Sequence, residues 1–241
     1  MEIDYSNIKV IGFDADDTLW VNETYFRDAE LEFAKLLAPY ETANKIDQEL
    51  FKRQIENLPL YGYGIKGFIL SMVEIAIELS NNTISNTTIE AILNVGKDML
   101  NKPVELLEGV EKVLTTLADD YRLIVVTKGD LLDQERKLEK SGLMDYFHHI
   151  EVVSDKKEAN YSKLLNHLDI KPSEFLMIGN SLKSDILPLV NIKAHAIHVP
   201  FHTTWIHEQV KTSEKEYKNY KTLSSVMEVL PLLKKTPKSK V

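Results

Sequence analysis

Short runs of apolar and β-branched residues alternate with segments of helical periodicity along most of the chain. The apolar runs cover residues 9–13, 122–127, 149–153, 174–179 and 194–199. Apolar positions at helical spacing occur at about residues 108–118, 130–141, 159–168 and 184–191. Because strands that alternate with helices form parallel sheets, this pattern predicts a doubly wound α/β core.

The alternation is interrupted between residues 22 and 102, where no strand-like run occurs. Apolar residues in this stretch recur at the spacing of helix turns, for example at Phe68 and Met72. We therefore predict an all-helical insert of residues 22–102 within a core formed by residues 1–21 and 103–241.

Composition narrows the classes of protein that fit this pattern. The 241 residues are 44% hydrophobic, enough for a sizeable core, and the formal charge of -8 argues against nonspecific binding to nucleic acid. No apolar run is long enough to cross a bilayer, and the first residues do not have the pattern of a signal peptide. With the absence of cysteine, these features predict a cytoplasmic protein without membrane or nucleic-acid partners. The oligomeric state stays open, and a homo-oligomer is one alternative.

Acidic residues follow the first predicted strand directly, at Asp14, Asp16 and Asp17. A solvated turn is the simplest interpretation of such a cluster, because aspartate is common in turns. Other predicted strands, however, also end in polar residues. The second strand ends at Thr127, Lys156 and Lys157 follow the third, and Asn180, Ser181 and Asp185 follow the fourth. The carboxyl ends of parallel strands meet at one edge of a sheet, so the sequence predicts one polar site there.

This combination of acids, a hydroxyl group and a lysine suits phosphoryl transfer. Uncatalysed hydrolysis of phosphate monoesters is so slow that an enzyme must supply upward of roughly 20 kcal/mol, which requires a nucleophile and neutralisation of charge. Asp14 and Asp16 are two residues apart on an extended segment and point to the same side. One can attack phosphorus while the other serves the leaving oxygen. Mg²⁺ prefers one or two carboxylates with phosphate and water, as Asp14, Asp185 and a backbone carbonyl would provide.

Four segments resemble, in order, the four signatures of the haloacid dehalogenase-like hydrolases. They are FDADDTL (13–19), VVTKGD (125–130), SDKK (154–157) and IGNSLKSD (178–185). The helical insert lies between the first and second signatures, where this family carries its type 1 cap. The resemblance implies a Rossmann-like core with a helical cap, and a Mg²⁺-dependent phosphatase that acts on a small phosphorylated metabolite.

The resemblance also implies a role for each residue of the signatures. Asp14 would be the nucleophile that forms an aspartyl-phosphate. Asp16 would be the general acid and base, with its backbone carbonyl on Mg²⁺. Thr127 would donate a hydrogen bond to the phosphoryl group, and Lys156 would neutralise that group and keep Asp14 ionised. Lys157 stays an alternative to Lys156, because the sequence does not rank two neighbouring lysines.

The fourth and second signatures depart from the usual pattern. Asp185 corresponds to the acidic residue of the family's metal site, but Asn180 stands where a further aspartate is usual. An amide oxygen is still a ligand for Mg²⁺, although the site then has one negative charge fewer. Lys128 stands where a smaller polar residue is more familiar, and is either a solvated loop residue or a contact for an anionic substrate. Together with Gly129 it completes the predicted substrate-binding residues.

Three alternatives share parts of this pattern. A 2-haloacid dehalogenase has the same fold and nucleophile but needs neither Mg²⁺ nor a second carboxylate, so Asp16 argues against it. A sugar phosphomutase would have every motif and would differ only in returning the phosphoryl group to its substrate. A phospho-accepting receiver module, which is not an enzyme, also gathers acids and a lysine at strand ends. It lacks a helical insert, however, and carries its phosphate-accepting aspartate on a later, inner strand.

Overall fold

The computed structural model describes residues 4–210 and 220–233, and within these ranges six strands form one sheet. They are β1 (Val10–Phe13), β2 (Arg122–Lys128), β3 (His149–Val153), β4 (Phe175–Gly179), β5 (His195–His198) and β6 (Lys221–Thr222). Their order across the sheet is β3-β2-β1-β4-β5-β6. The inner strand β1 is parallel to both of its neighbours, β2 and β4.

The chain divides into two compact units. The core unit contains the described residues up to Val21, Val104–Thr127 and the described residues from Lys137 onwards. The helical unit contains Asn22–Pro103 and Lys128–Arg136. The α-helices of the described residues are α1 (Glu23–Leu37), α2 (Ala43–Tyr61), α3 (Ile65–Leu79), α4 (Asn86–Asn101), α5 (Val110–Leu117), α6 (Leu131–Ser141), α7 (Glu158–His167), α8 (Leu187–Asn191) and α9 (Leu230–Leu233).

The core unit buries apolar side chains on both faces of the sheet. Successive residues of β1 alternate between two hydrophobic clusters, with Ile11 and Phe13 in one and Val10 in the other. The first cluster includes residues of α5, and the second includes residues of α7 and α8. Because helices cover both faces, β1 and β4 are apolar throughout instead of alternating with polar residues. The predicted α/β fold with a doubly wound parallel sheet is confirmed.

The helical unit has a hydrophobic core of its own. Each of α1 to α4 contributes buried apolar side chains, among them Phe33, Met72 and Ile92. Gly96 of α4 lies against Ile69 of α3, and a Cβ added at Gly96 would come within 2.5 Å of that side chain. The two helices approach closely at this point, so the glycine is required by packing despite its cost to helix stability.

Three segments differ from the predicted pattern. Residues 184–191, predicted as one helix, form a π-helical turn over Leu182–Ile186 followed by the short α8. Pro188 lies in the first turn of α8, where its missing N–H is no loss. β6 has no counterpart in the predicted pattern, because it has only two residues and both are exposed. Lys128–Arg136, which the predicted bounds assign to the core, belongs by its contacts to the helical unit.

Among the described helices, none combines the length and the apolar character that a membrane span requires.

Candidate active site

The carboxyl ends of the inner strands bring predicted site residues to one edge of the sheet. β1 pairs with β2 and β4 so that Phe13 lies opposite Val125 and Ile178. The backbone N–H of Asp14 continues this pairing and donates to the carbonyl of Ile178 at 2.9 Å. Four of the predicted site residues are buried here, namely Asp14, Thr127, Lys156 and Asp185. Since buried polar groups are costly without partners, their contacts define the site.

Lys156 lies between two buried carboxylates. Its Nζ is 2.5 Å from Oδ1 of Asp14 and 2.6 Å from Oδ1 of Asp185. The other carboxylate oxygens are also bonded. The hydroxyl of Thr18 donates to Oδ2 of Asp14 at 3.0 Å, and the backbone N–H of Ser181 donates to Oδ2 of Asp185 at 3.0 Å. We call Asp14, Lys156 and Asp185 the charge cluster; when all three are ionised, negative charge exceeds positive charge by one.

Burial and charge shift the pKa values of the charge cluster. Removal from water raises the pKa of Asp14 from 3.8 to about 7, against the attraction of Lys156 and with added repulsion from Asp185. Burial acts in the opposite direction on Lys156, lowering its pKa, but the two carboxylates outweigh burial and hold that pKa above its ordinary value. Lys156 therefore keeps its proton, and the carboxyl group whose pKa rises in the cluster is that of Asp14.

The structure distinguishes the two neighbouring lysines by location. Lys156 is buried in the charge cluster, whereas the side chain of Lys157 is 71% exposed and its Nζ lies 2.8 Å from Oδ2 of Asp155. Lys157 directly precedes α7, which begins at the next residue. Lys156 is thus the lysine that the fold brings to the predicted site.

Asp16 has different partners from Asp14, although its charge is close enough to raise the pKa of Asp14. Oδ1 of Asp16 accepts hydrogen bonds from Nε1 of Trp20 at 2.7 Å and from Nζ of Lys137 at 2.9 Å. Its side chain is 23% exposed, against 10% for the side chain of Asp14. A carboxylate with this access can exchange a proton with a substrate or water while Asp14 stays enclosed.

Lys128 and Gly129 directly follow the buried Thr127, but their contacts lie in the helical unit. Nζ of Lys128 lies 4.2 Å from the centre of the Tyr63 ring, which is the geometry of a cation–π interaction. Gly129 has φ of 136°, a backbone conformation that side chains disfavour. Lys128, the last residue of β2, thus has its observed side-chain contact with Tyr63 of the same unit.

The oxygen atoms around the charge cluster fit a hard cation such as Mg²⁺. Asp14 and Asp185 each turn one oxygen to the same ammonium group. Gly179 permits this arrangement, since a Cβ there would come within 2.4 Å of the Asp185 carboxylate. The next residue, Asn180, is half-buried, and its backbone carbonyl accepts a hydrogen bond from Nε2 of His198 at 3.0 Å. Within the described ranges no three acidic, histidine or cysteine side chains form a metal-binding group. Mg²⁺ commonly takes one or two carboxylates from a protein and keeps water and phosphate as its other ligands.

Three residues that hold the acids of the first signature have no assigned role in the sequence analysis. Thr18 and Trp20 each lie four positions after the acid that they bind, Asp14 and Asp16 respectively. That spacing is visible in the sequence and provides a signal. Lys137 lies 121 positions after Asp16 in a charged helix, and nothing in the sequence distinguishes it from the lysines around it.

Comparison with known proteins identifies the family. A model of the haloacid dehalogenase-like hydrolases matches residues 8–192. A solved structure of a haloacid dehalogenase-like family hydrolase from Xanthomonas campestris is 36% identical and has a TM-score of 0.83, covering 96% of this chain and 94% of that one. The chain belongs to the haloacid dehalogenase-like hydrolases, as the four signatures indicate, and it is therefore a hydrolase.

Curated relatives extend over most of the chain. N-acylneuraminate-9-phosphatase of Homo sapiens is 27% identical, covering 95% of this chain and 94% of the relative. Glyceraldehyde 3-phosphate phosphatase of Pyrococcus abyssi is 28% identical, covering 77% of this chain and 78% of the relative. Both relatives are named as phosphatases, which is the class of hydrolase that the sequence analysis predicts.

Proposed function

We propose that the chain is a Mg²⁺-dependent phosphatase that hydrolyses a small phosphate monoester through an aspartyl-phosphate on Asp14. The observation that carries this proposal is the charge cluster, in which a buried carboxylate at the end of an inner strand lies 2.5 Å from the buried ammonium of Lys156. Such a pair offers a nucleophile next to a group that neutralises phosphoryl oxygens. The two relatives named as phosphatases support the same chemistry.

In the first step the carboxylate of Asp14 attacks the phosphorus atom of the ester. A bond forms between an oxygen of Asp14 and phosphorus, the bond from phosphorus to the ester oxygen breaks, and Asp16 transfers its proton to that leaving oxygen. Lys156 favours the ionised form of Asp14, in opposition to burial, and offsets the charge of the phosphoryl oxygens. The hydroxyl of Thr127 donates a hydrogen bond to one of those oxygens.

In the second step water releases the phosphoryl group. Asp16, now a carboxylate, takes a proton from water, the oxygen of that water attacks phosphorus, and the bond between phosphorus and Asp14 breaks. Inorganic phosphate leaves, and both acids return to their starting forms. The hydrogen bonds from Trp20 and Lys137 hold the Asp16 carboxylate in a fixed position, which general base catalysis requires.

Asp14, Asp185, Asn180 and the backbone carbonyl of Asp16 would hold Mg²⁺, as the donor chemistry of the site allows. When bound, the ion offsets negative charge on the phosphoryl oxygens. We assign the helical insert the function of the family's cap and place the enzyme in the cytoplasm. A small phosphorylated metabolite, in contact with residues 128 and 129, is the proposed substrate.

A screen of phosphate release over a panel of phosphorylated metabolites, with and without Mg²⁺, tests the proposal. N-acylneuraminate 9-phosphate and glyceraldehyde 3-phosphate belong in the panel, because relatives are named for them. Release of inorganic phosphate supports a phosphatase. Return of the phosphoryl group to another position of the substrate identifies a phosphomutase instead, and release of halide from a 2-haloacid identifies a dehalogenase.

Asp14→Asn should lower phosphate release by at least about a thousandfold, because an amide is a poor nucleophile. The matched control is Asp145→Asn, which removes an exposed carboxylate of the same core unit. Circular dichroism checks that both variants are folded. Turnover by folded Asp14→Asn at the rate of the control would refute the proposed nucleophile.

A further inference from the structure

A short 3₁₀ helix outside the four signatures, Ile206–Glu208, is bonded to the segment that carries Asp185. Oε2 of Glu208 accepts a hydrogen bond from the hydroxyl of Ser181 at 2.6 Å and another from the hydroxyl of Ser184 at 2.5 Å. Both serines are buried, at 7% and 4% exposure. One carboxylate oxygen therefore joins Ser181, the residue before the π-helical turn, to Ser184 within the turn.

These two serines form the backbone frame around Asp185. The hydroxyl of Ser181 accepts a hydrogen bond from the backbone N–H of Ser184 at 3.1 Å. The backbone N–H of Ser181 donates to Oδ2 of Asp185 at 3.0 Å, and the backbone N–H of Asp185 donates to the carbonyl of Ser181 at 2.8 Å. The carboxylate of Glu208 thus holds the residues that set the orientation of the Asp185 side chain.

A second contact joins the same two segments independently. Nζ of Lys183 donates to the backbone carbonyl of His207 at 2.8 Å and lies 3.0 Å from Nε2 of that residue. Removing the carboxylate of Glu208 would therefore leave the segments attached through Lys183. This makes it practical to change Glu208 without releasing the whole segment.

The charge of Glu208 also belongs to the electrostatic environment of the site. The buried hydroxyl of Tyr161 donates to the carbonyl of Ser184 at 3.0 Å. Burial raises the pKa of Tyr161, and the negative charges of Asp185, Asp14 and Glu208 raise it further. All three carboxylates are therefore close enough to act on one buried group.

We infer that Glu208 is a positioning residue for the metal site, which fixes Asp185 through Ser181 and Ser184 and supplies negative charge next to these two serines. The inference rests on the proposed function, because it takes Asp185 as a ligand of Mg²⁺. Hydrogen-bonded partners of metal ligands commonly change metal affinity when they are replaced. Glu208 holds a ligand through two serines and contributes charge without being a ligand itself.

Two variants separate charge from positioning. Glu208→Gln retains an oxygen that accepts from both serines and removes the charge, whereas Glu208→Ala removes both. The control is Glu228→Gln, since Glu228 also accepts a hydrogen bond from a serine hydroxyl, that of Ser224, and also lies in a short 3₁₀ helix of the core unit.

Titration calorimetry of each folded protein with Mg²⁺ gives the deciding measurement. Glu208→Ala should raise the Kd for Mg²⁺ by about 10-fold to 100-fold, Glu208→Gln should raise it less, and Glu228→Gln should leave it unchanged. Saturating Mg²⁺ should restore most of the kcat of Glu208→Ala on the substrate found in the screen, because Glu208 does not touch the reacting atoms.

Two results would overturn the inference in distinguishable ways. If wild type binds Mg²⁺ and releases phosphate, but the Mg²⁺ titrations of Glu208→Gln and Glu208→Ala superimpose on that of wild type, Glu208 has no role at the metal and the proposed function stands. If wild type neither binds Mg²⁺ nor releases phosphate, the proposed function fails and the inference fails with it. Should Glu208→Ala not fold, the Glu208→Gln titration decides alone.

Discussion

Replacing Asp14 with asparagine should stabilise the folded protein at neutral and alkaline pH when no divalent cation is present. In wild type, two buried carboxylates share the single ammonium of Lys156, at 2.5 Å and 2.6 Å. The second negative charge has no counterpart in the cluster. Asparagine keeps the shape of Asp14 and leaves Lys156 paired with Asp185 alone. The folded variant should therefore be more stable than folded wild type.

The magnitude follows from the pKa of Asp14. Burial raises this pKa from 3.8 to about 7, so the folded state retains a proton on Asp14 that the unfolded state releases at lower pH. Wild type therefore loses stability as the pH rises from about 4 to about 7, and the loss is complete above that range. At about 1.4 kcal/mol per pH unit, the interval of about 3 units corresponds to about 4 kcal/mol. That value is an upper limit for the gain in Asp14→Asn, because an amide is an imperfect substitute for the protonated acid.

Urea unfolding of wild type and Asp14→Asn in the presence of a chelator measures the effect. The free energy of unfolding is compared at intervals of pH from about 5 to about 8.5, and titration of groups common to both proteins cancels in the difference. The free energy of unfolding of Asp14→Asn should exceed that of wild type by an amount that grows towards pH 7 and then stays constant. Asp145→Asn, which removes an exposed carboxylate, should follow wild type throughout.

The reasoning is refuted if the difference in the free energy of unfolding between Asp14→Asn and wild type does not change with pH, or becomes smaller as the pH rises. Either result would mean that Asp14 is stably ionised in the folded protein. Excess Mg²⁺ provides an internal check. A ligand at a hundred times its Kd stabilises the folded state by about 2.7 kcal/mol, and the ion should bind wild type more tightly than the variant. Mg²⁺ should therefore reduce or reverse the difference between the two proteins.

Three further predictions concern other residues of the site. Asp16→Asn should lower turnover of alkyl phosphates by about 10²-fold to 10⁴-fold but that of p-nitrophenyl phosphate much less, since nitrophenolate leaves without a proton; equal losses, with formation of the aspartyl-phosphate limiting the rate, would contradict the general acid role. Asn180→Asp should lower the Mg²⁺ concentration for half-maximal activity and Asn180→Ala should raise it, and superimposed titrations would remove Asn180 from the metal site. Lys156→Met should destabilise the fold by about 3–5 kcal/mol in urea unfolding, because it leaves two buried carboxylates without the lysine's charge. Lys157→Met should match wild type, and similar losses in both variants would refute the assignment of Lys156.

The strands were predictable because they are buried on both faces of the sheet. Residues 123–126 and 175–178 are apolar without interruption, which is typical of strands in a parallel sheet that helices cover on both faces. Positions at the strand ends then indicated that polar residues would meet, and the structure brings Asp14, Lys156 and Asp185 into contact. The turn over Leu182–Ile186 was beyond such reasoning, because it depends on hydrogen bonds of Ser181 and not on apolar periodicity.

The site was predictable as far as its residues belong to signatures. Nothing in the sequence chooses between Lys156 and Lys157, because the choice depends on where α7 begins after the strand end. Lys137 and Glu208 lie far along the chain from the residues they contact, and both are charged residues in segments where charge is ordinary. Only the folded backbone brings them to the acids and serines that they hold.

The shortage of positive charge in the charge cluster connects stability, metal binding and catalysis. Burial of the Asp14 carboxylate raises its pKa to about 7, because the attraction of Lys156 does not offset the loss of water and the repulsion from Asp185. The same shortage favours any cation that reaches the site, and a bound cation would keep Asp14 ionised and therefore nucleophilic. A third carboxylate, Glu208, placed on the serines around Asp185, increases the shortage further. The excess negative charge that destabilises the metal-free protein thus also strengthens the binding of the ion. Variants that remove one of these negative charges should therefore be more stable without metal and should bind the metal more weakly.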